Sequence, residues 1–203
     1  NKFILEAFNP DYQNAHLESK IVVALERISE AFRVLLWEAG KEYGLTPIQL
    51  QLLIFFNSHS PEYCKVNYLA KEFNLTKPTI SESVRLLAKK ELIFKETDAR
   101  DTRSYSIFLT EKGRLIAVKS ASFSSAWEKP IHSFTEVQKQ DLFHSLLELI
   151  EKLNKAGIIT VQRNCFSCRF YVSGKGNDYC NLLQKPLQSS DLRIDCPEHE
   201  PAT

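Results

Sequence analysis

Residues 66–109 read VNYLAKEFNLTKPTISESVRLLAKKELIFKETDARDTRSYSIFL, and the reading of this stretch decides the fold. Val66, Leu69, Ala70 and Phe73 fall on one face of a short helix. Asn74-Leu75 makes a tight turn, and Thr76 is placed to cap a second helix. That helix turns Ile80, Val84, Leu87 and Ala88 inward and leaves Lys77, Thr79, Ser81, Glu82, Arg85 and Lys89 outward or flanking. Two short helices joined by a brief turn, the second polar and basic outside, predict a helix-turn-helix. After Leu92 the period changes. Residues 93–97 and 105–109 are rich in aromatic and β-branched side chains, which predicts a β-hairpin. Its tip, residues 98–104, interleaves Arg100 and Arg103 with Asp98 and Asp101, as a projecting wing would.

Long helices lie on either side. Residues 17–39 place Ile21, Leu25, Ile28, Phe32, Leu35 and Ala39 at alternating steps of four and three, with no proline or glycine inside. Gly40 and Gly44 close this helix, and Thr46-Pro47 starts a shorter one through Leu50, Leu53 and Ile54. Thr110 caps a helix carrying Ile116, Ser120, Phe123 and Trp127, which Lys129-Pro130 is expected to break. Thr135 and Gln138 form a capping box for a last helix with Leu142, Leu146, Leu149 and Leu153, and Gly157 stops it. The expected class is mainly α with a small β wing: a winged helix-turn-helix plus long dimerisation helices. The boundary falls after residue 157, giving a winged-helix and dimerisation domain over 1–157 and a cysteine-rich extension over 158–203.

The formal net charge is only +1, so a nucleic-acid surface has to be local. From Lys77 to Arg103 there are seven cationic and five anionic side chains, a small surplus that two copies of the chain would double. No apolar run is longer than residues 52–56, which is far short of the roughly 20 residues a membrane-spanning helix needs. The first residues show no signal-peptide pattern, which leads to a cytoplasmic expectation.

The stretch Gly44-Leu45-Thr46-Pro47-Ile48-Gln49, the wing Asp98-Ala99-Arg100-Asp101-Thr102-Arg103 and the exit Leu109-Thr110-Glu111-Lys112-Gly113 resemble the MarR family of transcriptional regulators over roughly residues 20–157. The resemblance implies a homodimer with interlocked terminal helices. It implies a recognition helix in each of two successive major grooves of double-stranded DNA, wings reaching the flanking minor grooves, and a small-molecule effector pocket near Trp37, Tyr43 and Phe55, aromatics that read more readily as core. Glu91 departs from the pattern, which often has glycine before the hairpin, so a differently shaped corner is expected there.

Base edges are read by short hydrogen-bonding side chains near a helix N-terminus, with cations placed for phosphates. Thr76, Lys77, Thr79, Ser81 and Arg85 meet that need, although the same residues also serve as caps and as a solvated face. Arg100 or Arg103 suits a narrow minor groove, and an Asp-Arg lattice that only stiffens the loop is the other reading. The stripes of the first and last long helices, with Leu25, Ile28, Phe32, Leu146, Leu149 and Leu153, exceed what one small lobe buries and point to a twofold interface.

Four of the five cysteines crowd into the extension: Cys165 and Cys168 in a Cys-x-x-Cys knuckle, then Cys180 and Cys196 after eleven and fifteen intervening residues. Four thiolates complete a tetrahedral shell, so a structural zinc site is the first expectation, an iron–sulfur cluster the alternative, and plain buried or disulfide-forming thiols a lesser one. His199 is a possible substitute ligand. The apolar residues between these cysteines are too few for a core of their own, so metal would supply folding energy. Cys64, set apart before the third helix, reads as a half-buried thiol. No phosphate loop, paired-histidine helix or nucleophile elbow is present, which argues against an enzyme. The alternative to a DNA-binding regulator is a winged-helix protein–protein interaction module with a structural zinc tail.

Overall fold

The computed structural model describes residues 7–98, 101–174 and 178–202, and of residues 98 and 101–104 the backbone alone. In chain order the elements are α1 (Pro10–Ala15), α2 (Leu17–Lys41), α3 (Pro47–Ser58), α4 (Val66–Glu72), α5 (Lys77–Lys89), β1 (Ile93–Asp98), β2 (Asp101–Leu109), α6 (Glu111–Ala121), α7 (Ser125–His132), α8 (Glu136–Lys155), β3 (Tyr171–Val172), β4 (Asp178–Cys180) and β5 (Lys185–Leu187). The fold is mainly α with a two-stranded wing, as expected; the short three-stranded sheet β3-β4-β5 is an addition.

Local chemistry sets most helix ends. The Thr46 hydroxyl accepts from the Gln49 N–H at 3.4 Å while the Gln49 side chain accepts from the Thr46 N–H at 3.1 Å, a reciprocal capping box. Thr135 and Gln138 repeat it at 3.3 and 2.9 Å, and Thr110 caps α6 through the Gly113 N–H at 3.1 Å. At the end of α2 the chain turns at Gly44, whose φ of +58° suits a residue without Cβ, and the Leu45 N–H donates to the Gly40 carbonyl at 2.9 Å. Gly40 itself remains within the helix.

One expected helix is interrupted. The helix that Thr110 starts ends at Ala121, tightens into a 3-10 turn over Ser122–Ser124 and resumes as α7. The Ser122 hydroxyl donates to the Lys119 carbonyl at 2.7 Å, competing with the regular ladder. Pro130 does not break the chain there but sits inside α7, in its last turn, so that the helix forgoes one i→i−4 hydrogen bond and ends two residues later.

Contacts divide the chain into two compact units. The first takes in the chain up to Cys64 together with Glu82–Phe123; the second takes in Lys65–Ser81 and everything from Ser124 onward. In the first, Leu50, Leu52, Leu53, Leu92 and Ile107 are fully buried. Its hairpin pairs Ile93 with Leu109 through Thr97 with Tyr105, and the Ile107 N–H donates to the Cys64 carbonyl at 3.0 Å. In the second, Leu147 of α8 packs with Leu187 and Leu192, flanked by Phe143, Phe166 and Tyr171. The extension therefore completes its small core on α8. The boundary after residue 157 is one of composition; by contacts, residues 158–203 share a unit with α8 and α4. Among the described residues no helix is long and apolar enough to cross a membrane.

Candidate nucleic-acid interface and cysteine cavity

The helix-turn-helix begins with α4, whose Leu69 and Ala70 are buried. Asn74 takes a φ of +52°, which its short polar side chain tolerates, and the Leu75 N–H closes the turn on the Ala70 carbonyl at 2.9 Å. The Thr76 hydroxyl accepts from the Thr79 N–H at 3.3 Å and lies 2.8 Å from the Thr79 hydroxyl. Along α5, Ile80, Val84 and Leu87 are fully buried. Thr76, Lys77, Thr79, Ser81 and Arg85 are all exposed, and Lys77, Ser81 and Arg85 follow one another at steps of four, a single stripe.

Two of these residues are already engaged. Thr79 shares its hydroxyl with the cap, and Arg85 forms a two-pronged ion pair with Glu82 at 2.8 and 2.6 Å. The Arg85 hydrogen bond holds the Glu82 carboxyl below its ordinary range, and Glu82 raises Arg85 in return. Glu82 fixes the guanidinium on the exposed face while cancelling part of its charge.

At the corner between α5 and the wing, Glu91 has a φ of +58°. The Leu92 N–H donates to the Leu87 carbonyl at 3.1 Å, and the Thr110 hydroxyl donates to the Glu91 carbonyl at 2.8 Å. The corner thus keeps the left-handed geometry natural to glycine, although the residue is glutamate. Of the wing cations, Arg100 lies outside the described residues and Arg103 contributes only its backbone in β2.

The expected interface residues divide by exposure. On α2, Ile28 and Phe32 are exposed and Leu25 is half-buried; Phe32 meets Phe123 edge-on at 5.2 Å. On α8, Leu146 is exposed, whereas Leu149 and Leu153 are half-buried. Of the aromatics expected near an effector, Trp37 is exposed at 55%, Tyr43 lines a groove with Lys89, Lys90 and Lys112, and Phe55 belongs to the core.

In the second unit Cys165, Cys168, Cys180 and Cys196 line one cavity of about 40 Å³, together with apolar Phe170, Tyr171, Leu182, Leu183 and Leu187 and charged Lys185, Asp191, Arg193 and Glu198. Burial raises the Cys165 thiol, and Cys196, Cys168 and Cys180 push the same way. The Arg193 backbone N–H donates to the Cys165 sulfur at 3.2 Å, and the Arg193 guanidinium approaches the Cys196 sulfur at 3.5 Å. Among the described residues no three His, Cys, Asp or Glu side chains converge on a single ion position. His199 meets the Ser167 hydroxyl at 3.0 Å and does not line the cavity.

Residues beside these cysteines hold α4. Arg163 is buried and paired with Asp195 at 2.6 and 3.0 Å, with Glu72 at 2.7 Å, and with the Tyr68 hydroxyl. Burial works against its charge, but the Asp195 and Glu72 hydrogen bonds outweigh burial and keep it protonated well above the ordinary range. The Asn74 side chain donates to the Ile158 carbonyl at 3.0 Å, and the Thr160 hydroxyl donates to the Lys71 carbonyl. Nothing in the sequence marks Arg163, because its partner Glu72 lies 91 residues away and an ion pair leaves no periodic signal.

Residues 43–104 match the model of the MarR family. No curated protein matches the chain in sequence. Among solved structures, MepR of S. aureus in its DNA-binding conformation is 25% identical with a TM-score of 0.59, over 66% of this chain and 98% of that one. The S. aureus MepR–DNA complex is 24% identical with a TM-score of 0.59, covering 65% of this chain and 97% of its own. FabT of Streptococcus pneumoniae in complex with DNA is 23% identical with a TM-score of 0.58, covering 68% and 99%. Each is matched over nearly its whole length, so about a third of the present chain has no counterpart in them.

Proposed function

Because residues 43–104 match the MarR family model and fold as a winged helix-turn-helix, we propose that the chain is a transcriptional regulator, not an enzyme, that binds a specific double-stranded DNA sequence as a homodimer. The observation that carries this reading is the exposed face of α5, with Thr76, Lys77, Thr79, Ser81 and Arg85 above a fully buried Ile80, Val84 and Leu87. Short hydroxyls at the helix start suit base edges, and Lys77 and Arg85 suit phosphates or guanine. The DNA complexes of MepR and FabT support the partner.

The wing arginines Arg100 and Arg103 reach flanking minor grooves on this reading. Dimerisation belongs to α2 and α8, whose exposed Ile28, Phe32, Leu142 and Leu146 a second copy covers. A small-molecule effector enters the groove of about 550 Å³ lined by Tyr43, Lys89, Lys90, Glu91, Leu92, Lys112 and Ile116, where three lysines against one carboxylate favour an anionic ligand. The four-cysteine cavity is the metal-responsive part.

Mobility-shift titrations with Lys77→Ala and Arg85→Ala test the proposal. If Arg85 reads a base, its loss weakens specific binding by about 1–3 kcal/mol and relaxes preference at one position, while Lys77→Ala weakens all sequences alike. Folded variants that bind as the wild type does would overturn the assignment of this face.

A further inference from the structure

We propose that the four-cysteine cavity holds an iron–sulfur cluster whose presence is transmitted to the helix-turn-helix through Arg163. The second half of this proposal rests on the DNA-binding reading above; the first does not.

The size of the cavity separates the two candidate metals. Four thiolates on one zinc, each at about 2.3 Å, stand about 3.8 Å apart and leave no void between them. Here the four cysteines, with nine other residues, line a cavity of about 40 Å³, roughly three times the smallest space that admits a water molecule. No three ligating side chains among the described residues share a single ion position. A polynuclear cluster fills such a space, because its thiolates grip separate irons at the corners of a larger body. The shell combines apolar Phe170, Leu182, Leu183 and Leu187 with charged Lys185, Asp191, Arg193 and Glu198, and the Arg193 backbone N–H already donates to the Cys165 sulfur at 3.2 Å.

The transmission path is short and lies inside one compact unit. Cys165 and Cys196 are tied to the Arg163–Asp195 bridge by the chain itself. The Cys196 N–H donates to the Arg163 carbonyl at 2.9 Å, and the Cys165 N–H donates to the Arg193 carbonyl at 3.1 Å. Arg163 then grips Glu72 and Tyr68 of α4, and the Asn74–Ile158 and Thr160–Lys71 bonds fix the turn that precedes α5. Lys77, Thr79 and Ser81 lie in the same unit. Ligating the cysteines orders the segment that carries Arg163 and Asp195; losing the cluster frees it and, with it, the placement of α4.

The full chain isolated without oxygen is analysed for iron, inorganic sulfide and zinc. Its affinity for a selected duplex is then measured as isolated, after iron removal by a chelator, and after reconstitution with iron(II) and sulfide. Iron and sulfide in equal amounts with visible absorption are expected. Removal should change affinity at least about fivefold, reversibly. In Glu72→Gln, which keeps the cluster ligands, iron content should persist while the difference in affinity shrinks. Zinc alone, or an ordered metal-free extension, overturns the cluster. A bound cluster whose removal leaves affinity unchanged, or a Glu72→Gln variant that responds as fully as the wild type, overturns the transmission. A chain that carries the cluster and binds no duplex at all fails the DNA reading and leaves the cluster standing.

Discussion

Replacing Glu91 by glycine should stabilise the protein. Glu91 stands at φ +58°, where an L residue crowds its Cβ against the following carbonyl at a cost of about 1–2 kcal/mol. The geometry is held from both sides, by the Leu92 N–H on the Leu87 carbonyl at 3.1 Å and the Thr110 hydroxyl on the Glu91 carbonyl at 2.8 Å, so the residue cannot relax out of it. Glycine removes the strain but adds freedom to the unfolded chain, which takes back about 0.5–1 kcal/mol. The net gain is about 0.5–1 kcal/mol, or roughly 1–4 °C in Tm for a chain of this size. Thermal and urea unfolding of Glu91→Gly beside Glu91→Ala, followed by circular dichroism and tryptophan fluorescence, separates strain from charge. Alanine keeps the Cβ and should stay within about 0.5 kcal/mol of wild type. A glycine variant no more stable than wild type, or an alanine variant that gains as much, would refute the reasoning.

Phe32, 40% exposed on α2, should be covered in the proposed dimer; Phe32→Asp would place an unpaired carboxylate there and is expected to yield monomers by light scattering and to lose DNA affinity with them. Thr46→Ala removes half of a capping box and should cost about 1 kcal/mol in urea unfolding, whereas Thr46→Ser should cost little. Burial pushes the Cys64 thiol up to about 11, against an unfolded value of 9.0. Its folded pKa is raised, so its contribution to stability is complete below about pH 9 and is lost as pH rises toward about 11. Alkylation of native protein at pH 8 should therefore spare Cys64, and rapid labelling there would contradict its burial.

The parts legible in the sequence were those with local causes. Thr46, Thr110 and Thr135 announce helix starts because a cap needs only the next three residues, and Asn74 announces the turn because few side chains accept positive φ. The face of α5 followed from spacing alone. The split at Ser122–Ser124 was not legible, because it depends on one hydroxyl competing for a carbonyl within a run of continuous helical periodicity. The helix α1 escaped for want of an apolar stripe, although Asn9-Pro10 signals its start. Strands of two or three residues, as in β3–β5, carry no pattern. The cysteines declared a shared site through type and crowding, but the space they enclose and the Arg163 link to α4 are tertiary.

On the proposed function, α5 and the wing read a duplex sequence. Selection from random duplexes, followed by fluorescence anisotropy of the selected and a scrambled duplex across a salt series, tests it most directly. Enrichment of a two-half-site sequence bound at least about a thousandfold more tightly than the scrambled one, with affinity falling steeply as salt rises, is the expected result. No enriched sequence, together with binding indifferent to salt, would contradict the account.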